Sequence, residues 1–280
     1  QRRGYNHCMT RRGFTLIELL VVIAILLLLV GLVVPALNNA RQQARAVACQ
    51  ANVRQIQLSL QAYDTTNDSL PYGYQFRIPG PIPGKPEDFP GNAVFDYCGW
   101  WWFNYAKIQV SSTNARREDG MPTCPSKRLE DPRLNWDNLC GNYGVNRALC
   151  TSEDEDIPFY PTYARPPASL SRLRKPASTL LVLDSGYAMI CWWQATAEPP
   201  VTFGNYWAAD TAYVPGLDIN KNRLLKRGQV IDAVGGRHPG KTVNVGFADG
   251  HSERKKAQDL LVQKTDDTTY ANKAPLWEPQ

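Results

Sequence analysis

From Phe14 to Leu37 the chain is apolar at nearly every position, and Glu18 carries the one charge in the run. At a rise of 1.5 Å per residue, a helix over these 24 positions is roughly 36 Å long, enough to cross a bilayer. Beyond it, Ala36 to Leu70 holds neither Gly nor Pro, and Cys49, Val53, Ile56, Leu60 and Tyr63 recur at steps of four and three. That spacing is one face of an amphipathic helix. It predicts that the apolar helix (14–37) continues as an amphipathic one (38–65), to about Asp64 and roughly 75 Å in all. Gly31 and Pro35 interrupt the pattern, and Pro35 removes a backbone donor and crowds the preceding turn, so a kink or local melting is expected there. Residues 71–91 are rich in Pro and Gly, with Ile78-Pro79-Gly80-Pro81-Ile82-Pro83-Gly84 at their centre, and read as an extended surface loop. The period then changes. Ser178 to Asp184 reads as a buried central strand, and Thr242 to Phe247 alternates up to Ala248-Asp249-Gly250, a turn that predicts a hairpin with His251 to Lys255 returning. The fold class that follows is α+β, one long N-terminal helix packed on an antiparallel β-sheet head spanning 66–280.

Composition alters this picture little. Of 280 residues, 43% are hydrophobic and 20% charged, an ordinary globular balance. The pI of about 8.8 invites a nucleic-acid reading, but residues 1–13 hold Arg2, Arg3, Arg11 and Arg12 and no acid. Without them 27 basic side chains face 26 acidic ones, a net charge of +1. The basic excess is therefore mostly a topology signal that holds the leader in the cytoplasm, and no nucleic-acid partner is expected. Met9 offers a start for a shorter leader, which would leave Cys8 outside the protein.

Glu18 is the anomaly, because a carboxylate beside hydrocarbon needs a partner and the apolar run holds no Lys, Arg or His. A cut between Gly13 and Phe14 would create an α-ammonium four residues before it. A removed signal peptide has a shorter apolar core with its cleavage site behind it, whereas this junction precedes a full span. At Arg11-Arg12-Gly13-Phe14-Thr15-Leu16-Ile17-Glu18 the chain resembles the prepilin family, the type IV pilins and the pseudopilins of type II secretion. The resemblance implies cleavage after Gly13 by a prepilin peptidase, N-methylation of Phe14, and Glu18 meeting the Phe14 amine of a neighbouring subunit. It also implies unwinding near Pro35 in the fibre. The expected partners are other copies of the chain in a helical filament, the peptidase/methyltransferase, and the pilus or type II secretion assembly machinery. The expected location is the bacterial inner membrane as a single-pass subunit, then a periplasmic or extracellular filament.

A second layer of resemblance lies in the head. Thr123-Cys124-Pro125-Ser126, Asn142-Tyr143-Gly144-Val145-Asn146, Lys175-Pro176-Ala177-Ser178-Thr179 and Asp184-Ser185 look like large-headed pilin-like proteins, as does Gly236-Arg237-His238 leading to Phe247-Ala248-Asp249-Gly250-His251. Those proteins are named for a C-terminal His, nine residues, Asp-Gly motif. His238, Asp249 and Gly250 occupy it here with ten residues between the His and the Asp. The resemblance carries no biochemical activity, and the expectation is that the chain is not an enzyme.

Beyond the leader lie Cys49, Cys98, Cys124, Cys140, Cys150 and Cys191. Outside the cytoplasm such residues form disulfides. Cys49 falls on the helix and Cys191 in a late apolar run, so bridges are expected among Cys98, Cys124, Cys140 and Cys150, in any of three pairings. No cysteine pair has the two-residue spacing of a four-thiolate zinc site.

The remaining chemistry is sparse. Gly235 to Thr242 satisfies the phosphate-loop pattern G-x-x-x-x-G-K-[ST], but that loop must open a helix, and Val243 to Phe247 alternates like a strand. His238, Asp249 and His251 form a candidate metal or general-base set, against the plainer reading of a turn with its hydrogen bonds. No cofactor is expected. Were an ion bound, the resemblance to pseudopilins points to calcium, with Asp184, Asp249 or Asp232 as oxygen ligands. Trp100-Trp101-Trp102-Phe103 in a strand would send Trp101 to the face opposite Trp100 and Trp102. The favoured reading is that loops or neighbouring subunits cover both faces. Trp136, Trp192, Trp193 and Trp207 complete the aromatic excess.

Overall fold

A computed structural model describes residues 15–76, 99–105, 122–129, 142–152, 165–196, 212–223, 225, 227–266 and 269–280. The chain divides into two units, residues 1–42 and 43–280. Helix α1 runs Leu16–Asn67 and contributes to both. It stays helical through Gly31 and Pro35, so the interruption expected there is not a break in this state. It ends at Asn67 rather than Asp64, where Asp68 turns to a φ of 54°, a left-handed position that Asp and Asn tolerate better than most residues.

In the first unit the side chains from Leu16 to Leu37 are exposed, Leu16 by 81% and Val22 by 46%. An all-round apolar helix with no protein cover is what a bilayer or a bundle of like helices accommodates.

In the second unit α1 buries Cys49, Val53, Ile56 and Leu60 of the stripe read from its sequence at 0% exposure, joined by Ala46 and by the polar Gln57 and Asp64, while Tyr63 is only half-buried. The head is built on a five-stranded sheet of β3 (Tyr143–Asn146), β4 (Leu180–Asp184), β5 (Met189–Ile190), β6 (Thr242–Phe247) and β7 (Ser252–Lys256), in the order β5-β3-β4-β6-β7. Every pairing is antiparallel except that of β5 with β3. The sheet is therefore mixed, not purely antiparallel as expected. After β4 the chain passes through Ser185–Ala188 to the far side of β3, which leaves β5 parallel to it. The strands β1 (Tyr74–Phe76) and β2 (Gly99–Trp101) form a separate pair, as do β8 (Gln263–Lys264) and β9 (Tyr270–Ala271).

Alternation along β6 sorts the head into two cores. Val243, Val245 and Phe247 join Leu180, Leu183, Trp193, Leu260 and Trp277 in one. The other gathers the α1 stripe with Trp101, Trp102, Tyr143, Val145 and Leu181. The intervening residues of β6 meet α1: Asn244 Nδ2 donates to Ala46 O at 3.4 Å, and Gly246 leaves room for Gln57. The aromatic run is not one strand. Trp101 ends β2 and Trp102 opens the short helix α2 (Trp102–Tyr105), a change of period that lets both rings be buried. Trp102 Nε1 donates to Ala188 O at 2.8 Å. Trp192 and Trp193 are also buried, and Trp136 and Trp207 lie outside the described residues.

The Asp249-Gly250 hairpin forms where the sequence placed it, with Gly250 at a φ of 97° and the return strand one residue later than expected. It grips the helix. Gln57 Nε2 donates to Phe247 O at 2.9 Å and His251 O at 2.8 Å, adding a second bond to two turn carbonyls that already accept from Gly250 N and Phe247 N. Gln57→Ala should therefore destabilise the head by about 1–3 kcal/mol. A Cβ at Gly246 would lie 2.4 Å from Gln57 Cδ, so Gly246→Ala should cost a similar ~1–3 kcal/mol through overpacking. Because both act on one contact, the double variant should lose less than the sum of the two. Urea unfolding of the four proteins measures the cycle, and strict additivity would show that Gln57 and Gly246 do not share that contact.

Candidate functional site

At the start of α1, Thr15 and Glu18 bond reciprocally. Thr15 N and Thr15 Oγ1 donate to Glu18 Oε2 at 2.8 and 2.9 Å, and Glu18 N donates to Thr15 Oγ1 at 3.3 Å. This is a capping box: the N-cap hydroxyl and the third-position carboxylate each satisfy an amide that the helix leaves open. The Thr-x-x-Glu spacing announces it in the sequence, so Glu18 has a local partner that the ion-pair reading overlooked. Gly13 and Phe14 lie outside the described residues.

In the head, the segment Thr123-Cys124-Pro125-Ser126 is strapped to α1. Cys124 forms a disulfide with Cys49, Cα–Cα 5.3 Å, and Asn52 Nδ2, one helical turn on, donates to Thr123 O at 3.2 Å and Tyr143 Oη at 3.0 Å. This corrects the expected bridging. Cys49 lies on the helix, and its place on the buried stripe is what brings it to Cys124. Cys150 and Cys191 are unbridged and buried. Burial pushes the Cys150 thiol up and the Cys191 thiol up to about 12, so both stay protonated and unreactive at neutral pH. Cys98 and Cys140 lie outside the described residues.

Beside the bridge is a buried polar cluster. Asp184 ends β4, and its Oδ2 accepts from Asn244 N at 2.7 Å and lies 2.9 Å from His238 Nε2. Asn244 Nδ2 is also 2.9 Å from that nitrogen. One nitrogen cannot donate to Asp184 and accept from Asn244 at once. Asp184 Oδ1, His238 Nδ1 and Asn244 Oδ1 are buried without a hydrogen-bond partner. Donor atoms of Cys49, Cys124, Asp184 and His238 all lie within 4.8 Å of one another.

A second buried pair braces the same region. Arg237 Nε donates to both oxygens of Asp232 at 2.9 and 3.0 Å, its Nη1 reaches Asn142 O at 2.6 Å, and its Nη2 bonds Ser185 O. Burial pulls the guanidinium's pKa down, but the Asp232 charge more than offsets it and the net direction is up. Tyr213 Oη donates to the other side of Asp232 at 2.8 Å.

The three carboxylates proposed for calcium thus have separate partners: Asp184 with His238, Asp232 with Arg237, and Asp249 with His251. Asp249 Oδ1 accepts from His251 N at 3.1 Å and lies 2.6 Å from His251 Nδ1 on the exposed turn. Burial alone would raise the Asp249 carboxyl, but the His251 hydrogen bonds outweigh it and hold it below its usual range. His238 and Asp249 belong to different sets, one buried and one in the turn. Gly235 to Thr242 is not a phosphate loop, because it leads from the end of the short helix α3 (Val230–Gly235) into β6, with Gly236, Gly240 and Lys241 at positive φ.

Comparison with known proteins bears on the N-terminal part of the chain. Residues 8–34 match the family described as the prokaryotic N-terminal methylation motif, and residues 38–104 match a family described as a protein of unknown function (DUF1559). A relative, competence protein ComGC of Halalkalibacterium halodurans, is 32% identical over 70 residues, which are 25% of this chain and 66% of that protein, just under two thirds of its length. No solved structure matches the chain. Over residues 8–104 this chain is similar to type IV pilin and pseudopilin-like proteins. Those matches point to structural pilin-like proteins rather than to enzymes.

Among the described residues, the head is thus closed onto its helix by a covalent bridge spanning 75 residues. Opening a loop of that size should cost about 2–5 kcal/mol. Mass mapping without reduction should return Cys49 and Cys124 in one linked peptide pair, and Cys49→Ser should lower the thermal midpoint while Cys191→Ser leaves Cys49 and Cys124 bridged. Recovery of Cys124 bridged to Cys98 or Cys140 instead would refute the assignment.

Proposed function

We propose that the chain is a structural subunit of a type IV pilus-like filament, cut between Gly13 and Phe14 and polymerised through the apolar part of α1. The observation that carries this reading is the exposed apolar surface from Leu16 to Leu37, directly behind a basic leader and headed by Glu18. Such a surface is stable in a bilayer before assembly and against like helices after it. The same chemistry suits a short pseudopilus that acts as a secretion piston, and the length of filaments on cells separates the two. A prepilin peptidase/methyltransferase, and pilus or type II secretion machinery at the inner membrane, are the partners this reading requires.

The capping box sharpens the part assigned to Glu18. In the single subunit its carboxylate closes the helix start. In the filament the proposed partner is the α-ammonium of a neighbour's Phe14, where removing one member of a desolvated pair strands the other. Gln caps a helix as Glu does but carries no charge, so the two roles can be told apart. Glu18→Gln should leave membrane insertion and cleavage intact yet abolish sheared filaments, with processed monomer accumulating in the membrane. Mass spectrometry should find N-methylated Phe14 at the mature terminus of both proteins. Normal filament yield from Glu18→Gln together with loss in Glu18→Ala would show that Glu18 acts only as a cap, and an unprocessed leader in peptidase-containing cells would overturn the assignment itself.

A further inference from the structure

The bridge and the polar cluster beside it occupy one buried point. Cys49 comes from α1, Cys124 from the Thr-Cys-Pro-Ser segment, Asp184 from the end of β4, and His238 from the turn ahead of β6, and all four residues are buried. Two sulfurs, an imidazole and a carboxylate are a donor set that borderline divalent ions take in tetrahedral sites. As a disulfide the sulfurs are poor ligands, since the thiolate is the form that binds. The buried polar atoms point the same way. Asp184 Oδ1 and His238 Nδ1 have no partner in the bridged state, although a buried carboxylate oxygen and a ring nitrogen ordinarily find one.

We propose that the dithiol form of the chain binds one zinc-class divalent ion through Cys49, Cys124, His238 and Asp184, and that metal and disulfide are alternative closures of the same joint between α1 and the head. Binding Zn²⁺ to the two thiols releases their two protons to solvent and changes no oxidation state. Forming the bridge instead removes two electrons and two protons from the thiols. A small-molecule or protein disulfide that accepts them leaves as two thiols. A newly made chain begins as the dithiol, so the ion would hold α1 on the head until oxidation replaces it. The set differs from four thiolates and from an oxygen-only calcium site, and it does not involve Asp249.

The test uses the 280-residue chain in detergent micelles, reduced with a phosphine that is then removed without air, and titrated with Co²⁺. The expected result is sulfur-to-cobalt charge transfer and tetrahedral d–d bands that saturate at one ion per chain and bleach on adding Zn²⁺. The same titration of the oxidised chain should stay blank. Zn²⁺ should raise the thermal midpoint of the reduced chain, or restore its fold if reduction unfolds it, and leave the midpoint of the oxidised chain unchanged. The double variant Cys150→Ser, Cys191→Ser should keep the bands. Asp184→Asn should weaken cobalt binding at least about tenfold, a loss typical even of groups one step removed from the metal. Three results overturn the proposal: a folded reduced chain with no thiolate band, bands of equal strength after Cys49→Ser with Cys124→Ser, or a reduced chain whose stability and fold do not respond to Zn²⁺.

Discussion

The head depends on the docking of residues Ala46 to Asp64 of α1 against its sheet. A stripe of small and branched side chains supplies the apolar area, but polar contacts fix the register: Gln57 on the hairpin carbonyls, Asn52 on the Thr123 carbonyl, Asp64 Oδ1 accepting from Leu170 N at 3.1 Å. A helix held by apolar contact alone can slide or rotate with little penalty. One held by polar contacts cannot, because each slip breaks those bonds and strands the buried polar groups of the helix. The Asp-Gly hairpin is therefore less a reactive motif than the socket for a glutamine.

This division of labour accounts for the two styles of sequence on one helix. From Leu16 to Leu37 identity is nearly interchangeable among Leu, Ile and Val, as expected of a surface that meets lipid or copies of itself. From Ala46 onward the residues differ in kind: Cys49 for a bond, Asn52 and Gln57 for carbonyls, Val53 and Ile56 for the core. On the head side Gly246 gives space, Asn244 reaches the Ala46 carbonyl, and the Asp232–Arg237 pair ties α3 to the ends of β3 and β4.

What could be read from the sequence were the features that repeat locally. The apolar run, the stripe, β4, β6 and the hairpin all announce themselves through period or turn chemistry. What stayed hidden depends on residues far apart in the chain. Nothing in the neighbourhood of Cys124 names Cys49 as its partner, and Asp184 and His238 look like a strand end and a turn until the fold brings them together. Trp102 misled because a strand and a helical turn meet inside one aromatic run. The parallel β5 could not be foreseen, since two residues carry no alternation. The capping box was legible in Thr15-x-x-Glu18 and was overlooked because a charge beside an apolar run draws attention to ion pairing first.

Hydrogen–deuterium exchange on the detergent-solubilised chain tests the docking most directly. The account predicts that amides from Ala46 to Leu60 exchange as slowly as those of β4 and β6, opening only with the whole head, and that Gln57→Ala speeds both sets together. Fast exchange of the helix amides while β4 and β6 remain protected would show that the helix is not part of the head's fold, and would contradict the account.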